Sequence, residues 1–91
     1  MKIPSKLKIG GHIVKVDCRQ KLDGLNGKAV METNTIHICK SIAQSQKEST
    51  LIHEILHFLN STLGESAMGH SVQDSLSEQL YQVLKDNNLL K

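Results

Sequence analysis

Ninety-one residues suffice for one domain with a modest core, so residues 1–91 are expected to form a single unit; 38% apolar and 22% charged residues are ordinary for a globular chain, with one Phe, one Tyr and no Trp leaving the core to Ile, Leu and Val. Eleven basic against nine acidic residues give a net charge of +2, too weak a field to imply nucleic acid or an anionic membrane, and no aromatic residue stands among the early lysines to stack on bases. No stretch approaches the roughly 18 apolar residues of a membrane span, and the opening Met-Lys-Ile-Pro-Ser-Lys lacks the apolar run of an export signal, so a cytoplasmic protein with reduced Cys18 and Cys39 is expected.

From Lys6 to Cys18 apolar and polar residues alternate around Gly10-Gly11, the pattern of two strands and a tight turn. Asp23-Gly24 and Asn26-Gly27 favour positive φ, so residues 19 to 27 read as a loop leading into a third strand at Lys28 to Glu32. Thr35 to Cys39 returns to a period of two, and this second hairpin is expected to close a small antiparallel sheet. The period then changes. Ser45 and Glu48 have capping-box spacing, and Leu51, Ile52, Ile55, Leu56, Leu59 and Leu63 recur helically before Gly64, which predicts a helix over 46–63. Val72, Leu76, Leu80, Val83 and Leu84 form the apolar stripe of a second helix ending near Asn87-Asn88. Strands first and helices second make the fold class α+β.

The first helix carries His53-Glu54-Ile55-Leu56-His57. A spacing of four sets both imidazoles on one face about one turn apart, so both can reach one metal. Catalytic zinc takes three protein ligands and leaves a position for water, whose pKa falls to about 7. Glu54, next to the first ligand, is placed to take that water's proton as general base. Two histidines and a glutamate also arise on plain solvated helix faces, but the apolar neighbours Leu51, Ile52, Phe58 and Leu59 give this helix a surface that can bury the motif. A structural zinc site of Cys18, Cys39, His53 and His57 is a second arrangement, although its cysteine spacing is far from the short spacing of such sites.

Thr50 to Leu59, Thr-Leu-Ile-His-Glu-Ile-Leu-His-Phe-Leu, resembles the active-site helix of the zincin metallopeptidases. The metzincin branch has a Gly and a third His where this chain has Asn60 and Leu63. Gln73-Asp74-Ser75-Leu76-Ser77-Glu78 is closer to the gluzincin pattern, which implies Asp74 as third zinc ligand, Ser77 as the small residue between two helices and Glu78 as a partner of a ligating histidine. Asp is one methylene shorter than the Glu of that pattern. The stripe of Val72, Leu76, Leu80 and Val83, if it faces the core, also turns Asp74 away from the centre, so Glu78 and His70 remain alternatives.

The whole plan is similar to small metallopeptidase-like proteins carried by bacteriophages and prophages, which would place this chain in the cytoplasm of a bacterial host. The resemblance implies a minimal zincin core that hydrolyses a peptide or protein substrate with Zn2+, the substrate aligned by β-addition on residues 35–39 near His37 and Cys39. The alternative activity is a weak or inactive zincin acting as a zinc-stabilised interaction protein.

Overall fold

In the computed structural model, residues 2–9, 11–19, 24–62, 69–87 and 89 are described. Expectations for Gln20 to Asp23, for Leu63 and Gly64, and for Asn88 lie outside them. The first hairpin pairs β1 (Lys6–Ile9) antiparallel with β2 (His12–Arg19), Ile9 opposite His12, and Gly11 takes φ +82°, a conformation open to glycine because it has no Cβ. The second pairs β3 (Gly27–Val30) with β4 (Thr35–Cys39), Val30 opposite Thr35. A 3-10 turn over Met31–Thr33 and a left-handed Asn34 at φ 49° join them, so the third strand ends at Val30 and not at Glu32.

The fold is α+β, with two hairpins followed by two helices. The sheet order is β1-β2-β4-β3, with β2 and β4 parallel and Lys15 opposite Thr35, so the sheet is mixed where an antiparallel one was expected. Burial accounts for that order. Ile36 and Ile38 on β4 are both 0% exposed, so the most apolar strand takes a central place, while Gly-Lys-Ala-Val of β3 stays at the edge. Val14, Val16, Ile36 and Ile38 project from one sheet face against Leu51 and Phe58 to form the core.

Those two residues belong to α1 (Gln44–Thr62), which begins two residues before the expected start. Ser45 therefore lies inside the helix, and the expected capping box is not the role of Glu48. Glu48 is buried and accepts hydrogen bonds from Tyr81 Oη (3.0 Å) and Lys85 Nζ (3.1 Å) of α2 (His70–Asp86).

The second helix is rotated relative to its apolar stripe. Val72, Leu76, Leu80 and Val83 are 57%, 42%, 37% and 46% exposed, while Gln73 and Ser77 are buried against α1. Polar bonds set this rotation: Tyr81 and Lys85 reach Glu48, Asn60 donates to Gln73 Oε1 at 3.4 Å, and Ser77 reaches His53. Among the described residues no helix is long and apolar enough to cross a membrane.

Candidate metal centre

His53, Glu54 and His57 lie on the middle of α1, and their donor atoms fall within 4.8 Å of one another. The Nε2 atoms of His53 and His57 are 3.1 Å apart, with rings edge to face at 80°. Two nitrogens at tetrahedral angles on zinc, each about 2.0 to 2.1 Å from the ion, stand roughly 3.3 Å apart, so this pair fits one metal.

Hydrogen bonds behind the ring fix which nitrogen of His53 is available. Ser77 Oγ donates to the carbonyl of Asp74 at 2.9 Å, which leaves its oxygen only as an acceptor toward His53 Nδ1 at 3.2 Å. Asp74 Oδ1 is a second acceptor, 3.4 Å from the same nitrogen. Both require Nδ1–H, so the lone pair sits on Nε2, the nitrogen that points to His57. Burial first, then the neighbouring imidazoles of His53 and His70, hold the His57 pKa below its ordinary value, which favours the neutral ring, the form that ligates.

Glu54 is 5% exposed, and no described residue donates a hydrogen bond to it; His57 Nε2 is 4.0 Å from its Oε1. Burial first, then the negative charge of Asp74, pushes its carboxyl up to about 7. Gly27 of β3 is needed beside it. A Cβ there would collide with Thr50 Cγ2 and stand 3.1 Å from Glu54 Oε2 and 3.2 Å from the His37 carbonyl. Asn26-Gly27 has the composition of a turn, but Gly27 starts the strand that lies against the site.

A cleft opens on both sides of Glu54. One lobe, about 460 Å3, is lined by polar residues including Gln46, Asp74, Ser77 and Glu78. The other, about 320 Å3, is walled by Leu25, Lys28, Ala29 and Met31 and includes His57 and His70. Glu78 thus borders the cleft from the Asp74 side, whereas His70 borders it from the His57 side, with ring centroids 5.5 Å apart.

Residues 35–39 cannot align a substrate by strand addition. As β4 they are paired on both edges, to β2 and to β3, and His37 points to the sheet face opposite the core, 3.4 Å from Asp17 Oδ2. Cys39 Sγ is 3.2 Å from Ser41 Oγ. The strand edge beside the cleft belongs to β3. Cys18 and Cys39 are not joined in a disulfide, and neither belongs to the His53, Glu54, His57 group. Compared with known proteins, the chain matches no family model, no curated protein and no solved structure.

Proposed function

We propose that this chain is a minimal zinc-dependent peptidase, with His53 and His57 holding Zn2+ through Nε2 and Glu54 acting as general base. The observation that carries the reading is the convergence of two imidazole nitrogens, 3.1 Å apart, beside a buried carboxyl that accepts no hydrogen bond from a described residue. Bound zinc supplies Lewis acidity, which acidifies a water and polarises a carbonyl.

The remaining steps belong to the chain's own groups. Glu54, with its carboxyl near 7, suits a base at neutral pH, because a group poised near the working pH both accepts and returns a proton. Its carboxylate takes the proton from the attacking water and gives it to the leaving amine. Ser77 and Asp74 keep His53 in the tautomer that leaves Nε2 unprotonated. Extended substrate lies along the open edge of β3, where backbone pairing aligns a peptide past Glu54, and Gly27 keeps that edge close.

A second reading, a zinc-stabilised interaction protein without turnover, is favoured by one observation. The apolar row of Val72, Leu76, Leu80 and Val83 is exposed on α2, and exposed apolar rows often serve partners. Zinc-loaded protein incubated with a diverse peptide mixture separates the two. The peptidase reading expects cleavage that Glu54→Gln suppresses at unchanged zinc content; mass spectra without new peptide ends would favour the binder.

A further inference from the structure

The proposed centre draws two nitrogens from α1, and catalytic zinc sites take a third protein donor. We infer that His70, at the start of α2, is that donor, and that Asp74 is the outer carboxylate that orients His53. The inference rests on the metal-centre reading above.

None of His70, Asp74 and Glu78 belongs to the group of donor atoms lying within 4.8 Å of one another, so whichever completes the site must swing inward, and of the three His70 and Asp74 each meet a ligand histidine. The two residues give up different things in doing so. Asp74 Oδ1 is 3.4 Å from His53 Nδ1, the nitrogen on the far side of the ring from His57, and its carbonyl anchors the Ser77 hydroxyl that reaches the same atom. Moving that carboxylate to the metal strips His53 of a charged outer partner, and such partners are typically worth 10–100-fold, on the order of one or two decades, in metal affinity.

Among the described residues His70 has no such engagement. It is exposed, makes no hydrogen bond among the described residues, and meets only the edge of the His57 ring, at 5.5 Å and 61°. Imidazoles on one tetrahedral zinc, each nitrogen about 2.0 to 2.1 Å from the ion, have ring centroids roughly 5.2 Å apart. The observed separations of 4.7 Å for His53 and His57 and 5.5 Å for His57 and His70 bracket that value. His53 and Glu54 line both lobes of the cleft, but His57 lines the lobe of His70 and not that of Asp74.

The test is zinc titration by calorimetry together with cobalt(II) absorption spectra, on the full chain and on His70→Ala, His70→Cys and Asp74→Asn. Circular dichroism of the metal-free proteins controls for folding, and an exposed residue at position 70 should be replaceable without loss of fold. The expected result is that His70→Ala weakens zinc more than Asp74→Asn, whose loss stays within about 10–100-fold. His70→Cys should keep one zinc and gain a thiolate-to-cobalt charge-transfer band absent from the parent chain. Parent-like zinc binding by His70→Ala, or no thiolate band in His70→Cys, overturns the assignment while leaving the His53 and His57 centre standing. A parent chain that takes up no zinc overturns both.

Discussion

Glu48 and Glu54 sit two turns apart at most on the same helix, 2% and 5% exposed, yet their surroundings drive them to opposite ends of the carboxylate range. Burial raises the Glu48 carboxyl, but hydrogen bonds, with Lys85 first and Tyr81 and Gln44 among the others, outweigh it and hold the group at about 2. Glu54 has the burial without a donor among the described residues, and stands at about 7. Burial by itself therefore does not mark a functional carboxylate. A buried carboxylate whose hydrogen-bonding capacity is left open toward a cleft does, because a folded chain ordinarily satisfies such groups.

The two residues should separate cleanly on substitution. Glu54→Gln is expected to lower peptide hydrolysis by roughly 10² to 10⁴, the usual contribution of a general base, while zinc content stays that of the parent; rate assays with parallel metal analysis check this. Glu48→Gln should do the reverse, leaving zinc binding intact and costing about 1–3 kcal/mol in denaturant unfolding, since it removes hydrogen bonds to a charged acceptor. Zinc loss in Glu48→Gln, or unfolding of Glu54→Gln, would show that the two carboxylates do not divide these roles.

Acid should reveal Glu48 as well. Its folded pKa of about 2 lies below the ordinary 4.5, so its contribution is fully present above pH 4.5 and disappears as pH falls toward 2. Urea midpoints measured across that window should fall for the parent and vary less for Glu48→Gln. Gly27→Ala is expected to cost roughly 1–3 kcal/mol, because the added methyl meets Thr50 and backbone and overpacks a close strand-to-helix contact. Thermal unfolding measures it, and an unchanged midpoint would show that β3 has room to retreat from Glu54. The smallest effect should come from Leu76→Glu, within about 0.5 kcal/mol, because Leu76 faces solvent. A loss of about 2–5 kcal/mol would instead place the apolar stripe in a core.

Local patterns made much of this legible. The period of two over Lys6 to Cys18 and Thr35 to Cys39, and the helical period from Leu51 onward, depend only on near neighbours, and the elements form where those periods lie. The spacing of His53, Glu54 and His57 is also local, so one turn of helix brings them together wherever that helix docks. What escaped the sequence depends on docking. The parallel pairing of β2 with β4 follows from how the second hairpin seats against the first, and it closes both edges of residues 35–39. The rotation of α2 follows from polar bonds to Glu48, His53 and Asn60, which override its apolar stripe and bring Asp74 to His53. The first turn of α2 also sets His70 beside His57, a placement no spacing announces.

Whether His53 and His57 hold a metal is decided by the zinc stoichiometry of the purified full chain, set beside His53→Ala and His57→Ala. One zinc per parent chain is expected, with little or none in either variant and a chelator that lowers the parent's unfolding midpoint alone, since an ion bound only to the folded state stabilises it. A parent chain without zinc whose midpoint ignores the chelator, or variants that hold zinc as the parent does, would contradict it.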